Sequence, residues 1–489
     1  MIARAIDNPP APEALFRRLA HRPWSLWLDS ADPRPQTGDW SFVSSDPFGV
    51  LMALRGRARW IGADGSERTA EGGLALLEDL LQESAEAAGS DGETPLLPFR
   101  GGAAGFLAYE LGAEIEDLPP PRNRDLDLPD LELAFYDWVL GWNHRTGGCL
   151  VFSTGLPFSG IAAKRRAGER ADEVVRWIRG GPAPGELRGG RLDELWDASA
   201  RASSHGMSDG SARRAGLRSS LTSREYESAV RDSIEKIRAG DIFQVNLSQR
   251  FRAPGPEDPV DLYCELRRRA PAPFGAWFAG SRGTIASASP ERFVRLSATG
   301  EMETRPIKGT RPRGETPDID RRLAHELLLS DKDRSENLMI ADLMRNDLSR
   351  VATPGTVRVS ELFRLESYET VHHLVSVVQG RAKPGVGPVD LLRALFPCGS
   401  VTGAPKIRAM EVIAELEPVA RGPCYGSVGW IGFDGQMDLS VAIRTIVLTR
   451  GEAFFHAGGA VVADSDPNGE YHETLDKARA LAGSLSFEI

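Results

Sequence analysis

At 489 residues the chain has outgrown the size at which one hydrophobic core keeps expanding, so it must either divide into two lobes or build one unusually large α/β assembly. Punctuation along the chain marks where a division would fall. Residues 10–155 alternate short apolar runs, Trp24–Leu28, Trp40–Val43 and Val50–Leu54, with Pro, Gly and Asp, the pattern of antiparallel strands joined by turns. A helix at roughly 70–86 interrupts them, a glycine-rich turn opens Gly101–Glu110, and a second helix at roughly 160–179 ends on Gly180-Gly181. Residues 182–221, rich in Gly, Ser, Ala and Arg, read mainly as a linker, with room for one short helix at Leu192–Ala200. The expected units are therefore 10–155, a helix and linker over 156–221, and 222–489.

Composition closes off several classes of function. Hydrophobic content of 41% and charged content of 26% are those of an ordinary soluble globular protein. A formal net charge of −10 argues against nucleic acid or an acidic membrane surface as partner. No apolar run approaches the ~20 residues needed to span a bilayer, and the opening Met-Ile-Ala-Arg-Ala-Ile-Asp-Asn-Pro-Pro lacks the apolar core of a signal peptide. Cys149, Cys264, Cys398 and Cys424 are scattered, without CxxC spacing for zinc or redox work, and read as reduced thiols. The default compartment is the cytoplasm.

The clearest local signal begins at Thr222. Thr222-Ser-Arg-Glu225 is a capping box, in which hydroxyl and carboxylate each satisfy an orphan backbone donor at a helix start. Tyr226, Val230, Ile234 and Ile237 then form one stripe at helical spacing, closed by Gly240. Ile242–Phe251 follows as a strand, with Phe243, Val245 and Leu247 on one face and Gln244, Asn246 and Ser248 on the other. A face of amides and hydroxyls either meets water or lines a polar cavity, and periodicity alone favours water.

Several later segments carry chemistry. In Thr304–Gly314, Lys308 lies between Pro306 and Gly309 with Arg305, Arg311 and Arg313 nearby. Neighbouring positive charge disfavours the ammonium, which would leave a partly neutral, nucleophilic amine; the alternative is a solvated lysine in a basic loop. Asp333 and Glu336 lie in a helix over Asp331–Leu348 that has Leu338, Leu343 and Met344 among its apolar positions. Glu470 and Glu473 begin the last helix, whose buried stripe is Leu475, Ala478, Leu481 and Leu485. Residues three apart share a helix face, so each segment can aim a carboxylate pair at one point and hold a hard cation, magnesium if an anionic substrate completes the shell. Solvated helix faces would give the same spacing.

Anion-binding features accompany the acids. Gly399-Ser-Val-Thr-Gly-Ala-Pro-Lys406 leads into a helix with Ile407, Met410, Ile413 and Leu416 on its apolar side, Pro405 in the first turn, and Thr402 or Gly403 at the cap. Its free N–H groups favour a carboxylate or phosphate. Alternation over Asp438–Ile446 puts Arg444 on a polar face, where its fork could clasp a carboxylate or serve a structural ion pair. Gly458 and Gly459, inside Ala457–Ala460, permit close backbone approach to a ligand, although a Gly-Gly pair also makes an ordinary turn. His372-His373 sits in an apolar stretch, where histidines are more often structural. Trp24, Trp27 and Trp40 read as core aromatics, with an amino acid such as tryptophan as an alternative tenant of that lobe.

In order along the chain, IFQVNLSQRF (242–251), SPERF (289–293), PIKGTRPRG (306–314), DRSENLMIADLMRND (333–347), HLVS (373–376), GSVTGAPK (399–406), AIRT (442–445) and EYHETLDK (470–477) resemble the chorismate-binding family over residues 225–485. Residues 10–155 resemble that family's N-terminal domain more loosely. The resemblance implies an α+β fold of the anthranilate synthase component I kind, with large antiparallel β-sheets packed around a central cleft and helices outside. It implies Glu336 and Glu473 as magnesium ligands, Lys477 close to the ring carboxylate of chorismate, and Arg444 with the backbone at Gly458 on the enolpyruvyl carboxylate. Ser400, Thr402 and His373 would line the ring, and Glu291 would protonate the departing C4 hydroxyl. Cys424 and Ala460 depart from the pattern, where relatives have tyrosine and glycine.

Lys308 selects among the family's reactions. The branch that aminates chorismate at C4 has lysine at this position, whereas anthranilate synthases, which aminate C2 and release pyruvate, have alanine. The implied product is 4-amino-4-deoxychorismate, for p-aminobenzoate and folate synthesis, formed after Lys308 attacks C2. Asn246, where the anthranilate branch often carries valine, points the same way. Water-using isochorismate and salicylate synthases place a lysine where this chain has Gln244, and an amide is a poor general base. A catalytically silent chorismate-binding regulator would have lost the acid or the metal ligands, and none is missing. No cysteine lies in a glutaminase-like strand–helix turn with a histidine partner, so ammonia is expected from a separate glutamine amidotransferase subunit.

Overall fold

Runs of β-branched, leucine and aromatic residues bounded by Gly and Pro pair into two twelve-stranded antiparallel sheets in the computed structural model, which describes residues 1–33, 37–89, 97–180, 192 and 216–489. The first sheet runs from Ile2–Ala5 through Cys149–Ser153, Trp138–Asn143, Trp40–Ser44 and Leu26–Asp29 to Phe274–Ala279, Thr284–Ser289, Thr445–Thr449, Glu452–Val461 and Gln244–Pro254. The second runs from Ile307–Pro312 through Val371–Arg381, Glu301–Thr304, Arg292–Leu296, Met437–Val441 and Ser427–Gly432 to Gly102–Leu107, Leu131–Tyr136, Gly49–Leu54, Arg57–Gly62 and Glu67–Glu71. Strands from before residue 155 and after residue 222 share both sheets. They join where Leu26–Asp29 pairs with Phe274–Ala279, and where Gly102–Leu107 pairs with Ser427–Gly432. Of the two outcomes open to a chain of this length, the strands build the single large assembly.

The sheets face each other across an aromatic core, with Phe42 against Trp430 at 6.4 Å between ring centres and Phe106 against Phe278 at 6.0 Å. A second core lies on the first sheet under the helices Pro12–Leu19, Gly160–Ile178, Pro259–Arg269 and Pro467–Ser484. Phe16, Trp27, Tyr263 and Trp277 pack there edge to face or tilted. Trp24 and Trp27 are thus core residues, while Trp40 is half-buried and stacks on Phe42. The fold is α+β with helices outside, as expected. No described helix is long and apolar enough to cross a membrane.

Local signals held where they were strongest. The helix Ser223–Arg238 starts with both halves of its capping box, Thr222 N–H on Glu225 Oε2 at 2.7 Å and Glu225 N–H on Thr222 Oγ1 at 3.3 Å. The helices expected near 70–86 and 160–179 span Gly73–Ala88 and Gly160–Ile178. The linker reading and its short helix fall largely outside the described residues. Two apolar stripes need correction: Leu338 and Ile407 are exposed, although Met344, Met410 and Ile413 of the same helices are buried. A third correction concerns the strand at 242–251, which begins at Gln244. Phe243 is 67% exposed, whereas Gln244, Asn246 and Ser248 are buried, because this strand is flanked by neighbours on both sides and its polar face turns inward.

Candidate active site

The chain crosses from the first sheet to the second between Ser289 and Arg292, and back again between Val441 and Thr445. Glu291 sits in one crossing and Arg444 in the other. Asp438–Ile446 is therefore not one strand: pairing stops at Val441, and Arg444 takes a left-handed φ of 50° before the next strand starts. The two crossings bond each other. Ser289 Oγ–H donates to the Val441 carbonyl at 2.6 Å, Val441 N–H to the Glu291 carbonyl at 3.0 Å, and Ala288 N–H to the Arg444 carbonyl at 3.0 Å.

Lys308 arrives on a bulge. Opposite Val371–Arg381, register slips between Ile307 and Thr310, and Gly309 in the slip has φ 84°. A bulge re-aims the side chain it carries. No larger residue fits at Gly309, where a Cβ would lie 2.9 Å from the side chains of both Asp333 and Leu327. The Lys308 ammonium donates to the Ser400 carbonyl at 3.0 Å. Burial lowers its pKa, opposed by Glu336 and Glu291 and aided by Lys477. The expected direction holds, but its cause is different. Arg305, Arg311 and Arg313 are each held by carboxylates, Glu366, Glu326 with Asp333, and Asp320 respectively, and do not govern the lysine.

Glu291, 3% exposed, is the cleft's acid. Its Oε1 has no hydrogen-bond partner among the described residues, and burial raises its pKa to about 7 against the opposing pull of Ser400 and Lys308. Ser400 is buried in the 3-10 turn Gly399–Val401. Thr402 Oγ1 turns back to the Cys398 and Gly399 carbonyls, both at 3.3 Å, and Gly403 has φ 145° with room for no Cβ, 2.2 Å from the Gln244 carbonyl. The helix after it starts at Lys406 with Pro405 as its N-cap, two or three residues later than a cap at Gly403 or Thr402 would place it. His373 pairs through Nδ1 with Thr310 Oγ1 at 2.9 Å and packs on Tyr368. Its neighbour His372 is structural, bonded to Ser367 and Asp320.

Arg444 makes no ion pair with any described carboxylate, and burial lowers its pKa. A half-buried guanidinium without a resident anion is suited to a ligand carboxylate rather than to a structural pair. Gln244 likewise presents both amide atoms, buried and without partners among the described residues.

The acids gather where Glu452–Val461 meets the helix Pro467–Ser484. A Cβ on Gly459 would lie 2.8 Å from Glu470 Oε2 and 3.4 Å from Glu473 Oε1, so glycine admits both carboxylates. Lys477 donates to Glu473 at 2.6 Å and to the Gly458 carbonyl at 3.1 Å. Lys332 lies 3.7 Å from Glu470 and 4.0 Å from Glu336. Asp333, expected to join them, is turned to Arg311 instead. Burial raises the Glu336 carboxyl, while Lys477 and other cations hold Glu473 down despite burial. Glu470 Oε2 is buried without a partner among the described residues.

Three contributors went unread in the sequence. Lys332 and Tyr368 adjoin motifs already recognised, and only their neighbourhood could have drawn notice. The third is Glu417 with Arg421, visible as an i,i+4 pair but indistinguishable there from a surface one. In the fold both are buried, and Arg421 bonds the carbonyls of Val401 at 2.8 Å and Asn246 at 2.6 Å.

Residues 39–483 match the family described as chorismate binding enzyme. The chain is 39% identical over 478 residues to the aminodeoxychorismate synthase component 1 of Salmonella typhimurium, covering 98% of this chain and 96% of that one. It is 36% identical over 490 residues to the anthranilate synthase component 1 of Mycobacterium tuberculosis, covering 99% and 92%. The crystal structure of anthranilate synthase component I from Streptococcus pneumoniae superposes with a TM-score of 0.72 at 28% identity, over 92% of this chain and 93% of that one.

The buried acid has a consequence for stability. Glu291 has a folded pKa of about 7, above its ordinary value of 4.5. Between those values the native state holds a proton that the unfolded chain has lost, so stability falls as pH rises from about 4.5 to about 7 and then levels. Glu291→Gln should therefore be more stable than the parent at pH 8, by up to about 3 kcal/mol, with the gain fading by about pH 5. Denaturant midpoints at the two pH values would show it, and a gain independent of pH would place its cause elsewhere.

Proposed function

The chain belongs to the chorismate-binding enzyme family, and on that premise we propose that it aminates chorismate at C4, giving 4-amino-4-deoxychorismate, the activity named in its aminodeoxychorismate synthase relatives. Lys308 carries the reading: a bulge delivers a lysine of lowered pKa into the cleft that holds a protonatable Glu291.

Arg444 and the backbone at Gly458 clasp the enolpyruvyl carboxylate, Lys477 approaches the ring carboxylate, and Ser400, Thr402 and His373 line the ring. Gly403 and Gly459 allow backbone and acids to close on it, and Gln244 adds an unengaged amide. The neutral Lys308 amine forms a bond to C2 as the ring double bonds shift and the C4–O bond breaks. Glu291 supplies the proton with which the hydroxyl leaves as water. Ammonia then bonds to C4, the double bonds shift back, and the C2–N bond to Lys308 breaks. The proton shed by the new amine returns to the Glu291 carboxylate. One hard substitution becomes two easier ones.

Lys308→Ala, supplied with chorismate, magnesium and an ammonium salt, should lose most formation of 4-amino-4-deoxychorismate, with any residual turnover shifting toward anthranilate. Product identification decides the matter. If the parent protein makes chiefly anthranilate, the reading fails.

Among the described residues, no cluster of three or more His, Cys, Asp or Glu side chains is gathered tightly enough to hold a metal unaided. Two carboxylates beside an unpartnered Glu470 oxygen nevertheless fit a hard cation whose shell a substrate carboxylate and waters complete. Magnesium would be held by Glu336 and Glu473, and when bound would supply positive charge to the ring carboxylate. Glu336→Gln and Glu473→Gln should each raise the magnesium concentration needed for half-maximal chorismate binding, several-fold, before any change in melting temperature. Unchanged metal dependence in both would return these acids to a purely structural role.

All four cysteine thiols are buried and pushed up to about 12, so none is a glutaminase nucleophile. Ammonia must come from solution or from a separate glutamine amidotransferase subunit, as the designation "component 1" of the relatives suggests. The isolated chain should use ammonium salts, better at alkaline pH, and gain glutamine use only with such a subunit added. Efficient glutamine turnover by the chain alone would overturn this division of labour.

A further inference from the structure

A second cavity, of about 410 Å³, lies between the turn Tyr109–Glu114, prolines 119–121 and the helix Lys406–Leu416. It shares no lining residue with the groups placed on chorismate. Its size falls within the range of small-molecule sites. Leu118, the prolines, Met410, Ile413 and Ala414 make its walls apolar.

Most charges around it are already engaged. Arg124 pairs with Asp130, Arg421 with Glu417, and Glu114 accepts from the backbone N–H groups of Gly73 and Leu74. Arg55 stands exposed and solvated at the rim. Glu110 differs from these. It accepts from Arg421 N–H at 2.8 Å and makes no salt bridge among the described residues, although Arg124, already paired with Asp130, attracts it from further off. Burial raises its carboxyl to about 7. Beside it Tyr109, 8% exposed and lining the same cavity, has a hydroxyl with no hydrogen-bond partner among the described residues. A half-buried acid with no salt bridge of its own, an unused hydroxyl and apolar walls together define a ligand with one cationic end.

We propose that this cavity binds a small organic amine with an apolar body, its ammonium on Glu110 within reach of the Tyr109 hydroxyl and its body against Met410, Ile413 and Ala414. The site is independent of the reaction proposed above. Arg421 in its lining, however, also bonds the carbonyls of Val401 and Asn246.

The test titrates 2-phenylethylamine, and 2-phenylethanol as its uncharged counterpart, into the full chain by calorimetry. The amine should bind saturably and at least tenfold more tightly than the alcohol. Glu110→Gln should remove that tenfold preference. Ala414→Trp, which fills the cavity from the helix side, should abolish binding of the amine while sparing ammonium-dependent turnover, and stands as the test if the Glu110 variant fails to fold. Binding should persist in Glu336→Gln; its loss there would move the amine to the acidic cleft and overturn the proposal. Equal affinity for amine and alcohol, survival of binding in Ala414→Trp, or no saturable binding would overturn it as well.

Discussion

Two of the points at which the chain passes between its two sheets are neighbours, and the cleft depends on those crossings being bonded to each other. Ser289, Val441 and Glu291 supply two of the bonds and Ala288 with Arg444 the third. Each such buried hydrogen bond contributes about 1 kcal/mol net, enough together to offset the roughly 1–3 kcal/mol for holding a non-glycine residue such as Arg444 at positive φ. The entry into the second sheet is fixed next door. Arg292, buried, grips Asp438 through Nε and Nη2 at 3.0 and 2.9 Å and Glu303 through Nη1 at 2.7 Å. Glu291 and Arg444 are thereby set on backbone that cannot shift independently. Residues placed on rigid elements hold their geometry better than residues on loops.

The other wall depends on a buried ion pair. Arg421 bonds Glu417 through Nε and Nη2, while Glu417 also accepts from the backbone and hydroxyl of Ser248. The guanidinium lies between the rings of Tyr109 and Tyr425, each 4.6 Å away. Pairs this deep add little net stability, since desolvation consumes the Coulombic gain. What this one provides is placement: it ties Val401, beside Ser400 and Thr402, to Asn246 on the inward polar strand.

How much of this was legible in the sequence follows from the range of each interaction. The capping box at Thr222, the helix carrying Glu470 and Glu473, and the strand runs are local patterns, and they formed close to where they were read. The motif strings brought Lys308, Glu291, Ser400, Glu336, Glu473 and Lys477 into one cleft. The interleaving of early and late strands in both sheets was not legible, because pairing across hundreds of residues leaves no local period. The break at Arg444 was hidden for a related reason: alternation continues in the letters while the backbone changes sheets. Charge misled in a third way. The arginines around Lys308 looked like a cationic field, but each finds a carboxylate elsewhere in the fold, and burial does the work assigned to them.

That substitution of cause changes how the proposed nucleophile and acid are understood. Burial drives Lys308 and Glu291 toward their neutral forms, while each charge favours the other's ionisation. An ion pair and a neutral amine–acid pair therefore differ by one proton and compete in the same cleft. The proposed chemistry needs the neutral pair, an amine with a lone pair and an acid with a proton to give. Contact with water would favour the ion pair, and a substrate filling the cleft would exclude that contact and strengthen the desolvation that already acts on both groups. Burial by the protein already moves both groups in that direction, and on the proposed reaction a substrate filling the cleft would move them further.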